Sequence, residues 1–396
     1  MRTAPDGRAV AGMGMRAAMN SQPPAEHFHA PGTLRGAGPD AAAFVERLHR
    51  RGPAAMIANV EGEVLLERAG EHDLPVIITS GSTGHSYVAA PHSAYVLYPR
   101  AELDLVDLGR MRPVAHLLIG AADRLLRALR VNRAVQIDNW LLSTNLHGRW
   151  QGEGLAVLRQ RLAGRYPDHY QLIRSVDDWS CPALTAALRA DGWMMLPSRQ
   201  IWVTDDLQRD WAVRKSVKND GRKLAQSGLL VEDVARLNDA DAARIAELYA
   251  MLYIDKYSAL NPQYSPGWMQ MAVETGLFHL RVVRDPQGQI MAAAAIVVRG
   301  DIATNPMLGY DRERPQSEGL YRIASWLVGD FALRHGLRLH GSAGAGHFKQ
   351  QRGARSAIDY TAIHAGHLSF WRRWPLVAIA WALETIAVPE LKRRML

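Results

Sequence analysis

The sequence predicts an α/β (α+β) fold made of two tandem domains, each a mixed, mostly antiparallel sheet flanked by helices. Three observations predict it. A short segment occurs twice, as Gln151-Gly152-Glu153-Gly154-Leu155-Ala156 and, 165 residues on, as Gln316-Ser317-Glu318-Gly319-Leu320-Tyr321. Each copy follows a strand-like run and opens a helix-like one. The next strand-like run begins 19 residues after Gln151, at Tyr170, and 21 residues after Gln316, at Leu337. So close a repeat of spacing points to duplication of a whole structural unit.

The elements justify the division in order. Residues 1–40 are rich in Gly, Pro, Ala and Arg and read as a disordered tail. Met13, Met15 and Met19 offer downstream starts, and the pair His27 and His29 in such a tail makes at most a weak, loose metal site. Residues 41–208 form the first domain. It has strand-like runs near Met56, Val64, Val76 and Val96 and a helix over 114–130. A strand within 131–143 follows, then the Gln151 turn, a helix over 155–162, a strand over 170–176, a helix over 183–190 and a strand over 194–204.

Residues 209–365 form the second domain. Its first stretch carries Arg209, Arg214, Lys215, Lys218, Arg222 and Lys223, a basic helix that is either a solvated linker face or a contact for an anionic substrate. A strand over 228–234 precedes a helix over 240–257, with Ile245, Leu248, Met251 and Leu252 near one face. Ser265-Pro266 starts a helix to 274, with Pro in the favoured first turn. Strands over 277–284 and 289–298 flank the turn Asp285-Pro286-Gln287-Gly288 and form a hairpin. A third strand over 302–310 leads into the Gln316 turn. A helix over 320–334, a strand over 337–343 and a helix over 346–352 follow.

Residues 366–396 are apolar and basic. Phe370-Trp371-Arg372-Arg373-Trp374 precedes an apolar run to Pro389, and Lys392-Arg393-Arg394 closes it. That run is too short to span a bilayer. It reads as a helix docked on the second domain or lying on an anionic membrane surface.

Composition bounds the partners. Among 396 residues, 48% are apolar and 22% charged, which suits a globular core. The net charge of +8 favours anionic partners such as nucleotides, phosphorylated carriers, RNA or acidic lipid. A single cysteine, Cys181, excludes an intrachain disulfide and multi-cysteine zinc sites. A cytoplasmic location follows as the simplest expectation, with membrane association through 370–396 as the variant.

The doubled turn carries the first chemical signal. A Gly-bearing turn at a helix start aims free N–H groups and the positive end of the helix dipole at one point, which is how phosphate is held. Two other motifs fail. Thr79-Ser80-Gly81-Ser82-Thr83-Gly84 looks like the phosphate loop of adenylate-forming enzymes but continues with His85-Ser86-Tyr87. His340-Gly341-Ser342-Ala343-Gly344 lacks the first Gly of a nucleophile elbow.

With these elements in place, the second half resembles the GNAT acyltransferase superfamily. Gln316-x-x-Gly319-x-Tyr321 sits where that family has its coenzyme A pyrophosphate loop, and Gln151-x-x-Gly154-x-Ala156 is the fuller match. The segment Phe348-Lys349-x-x-Arg352-Gly353-Ala354 is similar to the closing segment of tandem GNAT-like proteins, the Fem-type aminoacyl and peptidyl transferases and related bacterial N-acetyltransferases. The resemblance implies transfer of an acyl group from acetyl-CoA or a longer acyl-CoA to an amine on a small molecule or peptide, with no metal. The alternatives are a Fem-type transferase using aminoacyl-tRNA and a non-catalytic binding module. It places cofactor contacts at Gln151, Gly152, Glu153, Gly154, Leu155, Ala156, Gln316 and Gly319.

Candidate catalytic residues lie on strands that feed the turns. Asp138 ends the mostly apolar run Val135-Gln136-Ile137, where burial would raise its pKa to suit a base; a structural Asp is the other reading. Tyr310 stands just before the second turn, and Tyr360 lies near where the family can place its acid.

Overall fold

The computed structural model describes residues 38–103, 109 and 112–389. The tail through His27 and His29 and the closing basic run Lys392-Arg393-Arg394 lie outside the described residues.

The chain opens with α1 (Ala41–Arg51) and α2 (Pro53–Met56). Asp40 starts α1 by accepting a hydrogen bond from the Ala43 amide at 2.9 Å, and Phe44 and Leu48 are buried. The hairpin β1 (Glu63–Ala69) and β2 (His72–Ser80) follows. A π-helical turn (Ser93–Leu97) continues into α3 (Tyr98–Leu103), and then come α4 (Arg112–Ala128), β3 (Arg133–Ile137), α5 (Leu155–Arg165), β4 (Tyr170–Val176), α6 (Pro182–Ala190) and β5 (Met194–Thr204).

The second half contains α7 (Lys215–Gln226), β6 (Leu230–Val234), α8 (Asp239–Tyr253), α9 (Pro266–Glu274), β7 (His279–Arg284), β8 (Ile290–Arg299) and β9 (Ile302–Tyr310). It closes with α10 (Leu320–Arg334), β10 (Arg338–His340), α11 (Gly346–Gln350), β11 (Arg355–His364) and α12 (Phe370–Ala382). Local chemistry sets these bounds. Ser265 caps α9 through the Trp268 amide, with Pro266 in the first turn, and Asn238 caps α8 through the Asp241 amide.

Among the described residues, eleven strands join one sheet in the order β1-β2-β3-β4-β11-β5-β10-β9-β8-β7-β6. Two pairs are parallel, β3 with β4 and β9 with β10, and each is joined through a Gly turn and a helix, α5 or α10. The repeat is therefore β3-turn-α5-β4 and β9-turn-α10-β10. Each parallel pair meets at three register positions only.

The two halves exchange their last strands. β5 of the first half pairs with β10 of the second, and β11 of the second pairs with β4 of the first. β11 and β5 pair with each other at the centre. Read inward from either end, the order is the same, with an approximate two-fold relation between β11 and β5; β6 is extra at one edge. The tandem layout expected from sequence is thus fused into one continuous sheet.

Two sequence readings change. The run near Met56 is the helix α2, and the run near Val96 is the π-helical turn. Neither has a period-2 alternation that a neighbouring strand could use.

Candidate active site

The fold places a cavity of about 420 Å³ on one face of the central strands, walled by both halves. The first half contributes Tyr87, Tyr95, Tyr98 and Glu102 from the segment before and through α3, Arg174 from β4 and Arg199 from β5. The second contributes Tyr253 from α8, Asn305 from β9, Tyr321 and Ser325 from α10, the loop 341–345 and Lys349 from α11.

Three cations and one carboxylate stand in this wall. Arg199 donates from Nε to Asp359 at 3.0 Å, and its amide donates to the same carboxylate at 3.1 Å. Its Nη2 reaches the Thr144 hydroxyl at 3.1 Å. Asp359 is fully buried, and burial pushes its carboxyl up even though Arg199 pulls against it. Arg174 is anchored to carbonyls instead, donating to Val88 O at 3.0 Å and Leu142 O at 3.3 Å. Glu102 is raised by burial.

Lys349 is the unusual group. Its ammonium donates to Ala343 O at 2.7 Å, and Ser342 O lies 3.5 Å away. The side chain borders the cavity space, while dense protein surrounds the amine. Burial, with the Arg199 charge nearby, lowers its pKa to about 7. The carbonyls that hold it belong to a loop with two non-glycine residues in left-handed backbone, Ser342 at φ 59° and Ala345 at 47°. A strained loop whose carbonyls aim at a buried amine is the kind of arrangement found at functional sites.

The residues proposed from sequence are dispersed around this cavity. Asp138 is fully buried and is not part of the wall. Arg299 of β8 donates to it at 2.9 Å, His147 Nδ1 at 2.8 Å and Trp140 Nε1 at 2.7 Å. Burial pushes its carboxyl up, but the Arg299 charge and the His147 hydrogen bond win, so it lies well below the usual carboxylate range. The sequence expectation was the reverse, because no local pattern announces a partner 161 positions away.

Tyr310 is half-buried, its ring 5.8 Å from that of Tyr321. Tyr360 is buried beside Ile358 and Val388, and burial raises it to about 12. Its neighbour Thr361 takes the cavity side of β11.

The two turns differ. At the first, the Glu153 carboxylate accepts from the Gln151 amide at 2.8 Å, ahead of α5, which begins at Gly154 with no side-chain cap. Gly152 packs on Ala187, and Gly154, with φ 71°, lies under the β1–β2 turn; a Cβ there would meet Gly70 N at 2.5 Å. Leu155 is buried beneath, and Ala156 is exposed on the outer face of α5. At the second turn Gln316–Glu318 makes one 3₁₀ turn, Gly319 has φ 70°, and α10 begins with no side-chain cap. The Lys223 stem of α7 crosses Gly319, and Tyr321 enters the cavity wall.

No protein-family profile and no curated protein matches this sequence. Solved structures do. The C-terminal domain (DUF2156) of a putative lysylphosphatidylglycerol synthetase from Agrobacterium fabrum is 11% identical, covers 88% of this chain and 97% of its own, and has a TM-score of 0.46. L-PGS from Bacillus licheniformis is 10% identical over 87% of this chain and 97% of its own, with a TM-score of 0.48. FemX is 11% identical over 52% of this chain and 75% of its own, with a TM-score of 0.40. The mixed sheet flanked by helices agrees with the GNAT-like fold expected from sequence. What carries the agreement is the twice-repeated strand, turn, helix and strand around a parallel pair.

Sequence reasoning missed Arg174, Arg199 and Lys349 as site residues. Arg174 had a signal: it is the one charged residue in Tyr170–Val176, a strand otherwise nearly all buried. Lys349 stood within the segment used for the resemblance, but nothing local showed that it faces a cavity.

Proposed function

We propose that this protein is a transferase that moves an aminoacyl or acyl group from a phosphate-bearing carrier to an amine in the central cavity. The observation that carries the reading is Lys349, an amine with a pKa of about 7 set beside Arg174 and Arg199 where the two halves meet. A general base works best with a pKa near the operating pH. Neutral Lys349 accepts a proton from the attacking amine as its nitrogen bonds to the carbonyl carbon. Negative charge develops on the carbonyl oxygen, and Arg174 has N–H donors beyond the one fixed to Val88 and Leu142. As the bond from carbon to the carrier's oxygen or sulfur breaks, Lys349 returns the proton to the leaving atom and is neutral again.

The carrier supported best is aminoacyl-tRNA. The basic helix α7 packs on α10, whose Tyr321 and Ser325 line the cavity; its Asp220 binds Arg322 of α10 and Arg352 beside α11, and its Lys215, Lys218 and Arg222 are exposed. A basic face leading to a reaction site suits an extended polyanion. The second reading is acyl-CoA at the second turn, favoured by the uncapped start of α10 beside Lys223.

One experiment separates these readings. Purified protein is given radiolabelled aminoacyl-tRNA, acetyl-CoA and longer acyl-CoAs, each with a panel of amines, and label transfer and thiol release are followed. Label moving from tRNA to an amine is expected. Thiol release alone selects the acyl-CoA reading. If no donor is consumed and none binds, the protein is a non-catalytic module and the transferase reading is lost.

A further inference from the structure

A second cavity, of about 400 Å³, adjoins the first and shares Pro91, Tyr95 and Leu172 with it. Its character is the opposite. Among its walls are Ala122, Leu125 and Leu126 of α4 and Leu376, Ile379 and Leu383 of α12 and the turn after it. The sheet floor connects the two. Along β4, alternate residues run Tyr170, Leu172, Arg174; along β11, Ile363, Thr361, Asp359; along β5, Leu196, Ser198. Each strand passes from apolar to polar in the same direction on one face. Tyr95, aimed by the π-helical turn, stands at the junction, and its hydroxyl lies near Ser198 and Thr361 without a geometry good enough for a hydrogen bond.

A separate observation concerns the outside. The two helices that wall the apolar cavity also carry many of the chain's most exposed large apolar side chains. On α4 these are Val114, Leu117 and Leu118, the last two 70% and 65% exposed; on α12 they are Trp371, Trp374 and Trp381, the first and last 79% and 66% exposed. Arg124 and Arg373 share these helices. Leu125 lines the cavity and is itself 36% exposed, which puts an opening at this surface. Tryptophan and leucine beside arginine form the signature of a face seated in the boundary of an anionic bilayer.

We propose that α4 and α12 seat the protein on an anionic membrane and admit the hydrocarbon chain of a membrane lipid into the apolar cavity, which leaves the lipid's polar end in the central cavity. This rests on the central cavity being the place of transfer; the lipid is then the amphiphilic substrate. Water occupies about 30 Å³ and a methylene is of similar size, so the cavity holds on the order of a dozen chain carbons.

The test uses binding alone, with no donor present. Full-length protein is titrated with 11-(dansylamino)undecanoic acid and, separately, sedimented with vesicles of phosphatidylglycerol and phosphatidylcholine (30:70) or phosphatidylcholine only. Micromolar probe binding and sedimentation with the anionic vesicles are expected. Ala122→Trp or Ile379→Phe, whichever keeps the wild-type Tm, lowers probe affinity at least tenfold. Trp371→Glu with Trp381→Glu keeps probe binding and loses vesicle binding at least fivefold. Lys349→Met keeps both, so loss of transfer and failure of this proposal are told apart. A folded cavity-filling variant that binds probe as wild type does overturns the chain site. Vesicle binding without probe uptake reduces α12 to an anchor and overturns it too. Probe uptake without vesicle binding overturns the membrane source.

Discussion

If Lys349 is the proton carrier, its removal and the pH profile must agree. With a pKa of about 7, half of the side chain is neutral at pH 7, roughly a tenth at pH 6 and roughly nine tenths at pH 8. A step that needs the neutral amine therefore slows about fivefold from pH 7 to pH 6 and gains about twofold from pH 7 to pH 8. Lys349→Met keeps the stem and loses the base, so the rate falls by 10²–10⁴, the usual worth of a general base. Lys349→Arg is the sharper variant. It keeps a charge that could hold an oxyanion but cannot give up a proton at neutral pH. The assay is single-turnover transfer across pH 5.5–9, with donor affinity measured separately. Lys349→Arg with near-wild-type rate and a flat pH profile would refute the proton-carrier role.

The same shift has a stability counterpart, and its sign is fixed. The folded state lowers the Lys349 pKa from 10.5 to about 7, so between those values the unfolded chain holds the extra proton. Stability from this group rises as pH increases through that window, by up to about 1.4 kcal/mol per pH unit, and is lost as pH falls to 7. Lys349→Met removes that slope, which denaturant midpoints at pH 7 and pH 9 register as a flatter dependence.

Two further predictions concern the frame. Arg299→Leu leaves the buried Asp138 carboxylate with His147 and Trp140 only, at a cost of about 3–5 kcal/mol. At about 2.1 cal/mol/K per residue of unfolding entropy, that is a fall in Tm of roughly 4–6 °C by calorimetry; a fall under 1 °C would show that the pair does not tie β3 to β8. Gly154→Ala forces a side chain into left-handed backbone against Gly70, so it lowers Tm and leaves donor affinity alone. Gly319→Asp puts a side chain into the same left-handed backbone (φ 70°) but meets only the flexible end of Lys223, so it lowers Tm less than Gly154→Ala does and weakens donor binding about tenfold in an equilibrium titration. The opposite pattern would move the donor to the first turn.

Most of the repeat was legible because it is local. Tyr170–Val176, Ile302–Tyr310, Pro266–Glu274 and Leu320–Arg334 end where their turn and capping residues place them. β11 was not legible. Arg355–His364 mixes Arg355, Asp359 and His364 with apolar residues, and its pairing with β4 and β5 lies far away in sequence. Strand exchange is invisible for the same reason: it is a choice of partner, and each strand's own pattern is the same whichever partner it takes. The site inherits this limit. Asp138 stood out locally as a carboxylate in an apolar strand, yet its state is set by Arg299; Lys349 matters through a cavity that exists only after both halves close.

Duplication explains why the halves carry different loads. A single unit ends in an open strand edge beside its parallel pair, and exchange of β5 and β11 covers both edges at once. The same exchange brings Arg174, Arg199 and Lys349 from three separate elements to one cavity. Two turns of the same kind then become redundant, because one cavity serves both halves. In the first, Glu153 folds back on the Gln151 amide and Gly154 packs under the hairpin, so the turn holds structure together. In the second, Glu318 pairs with Arg314 instead, and Tyr321 replaces the small residue with a ring that lines the cavity. Exchanging the sixth residue of each turn tests this division. Ala156→Tyr puts a ring on the exposed face of α5, where nothing opposes it, and Tyr321→Ala opens the cavity wall. Ala156→Tyr alone therefore keeps both Tm and substrate affinity, and the double variant changes substrate affinity as Tyr321→Ala alone does. An affinity change from Ala156→Tyr would put the first turn back in the site.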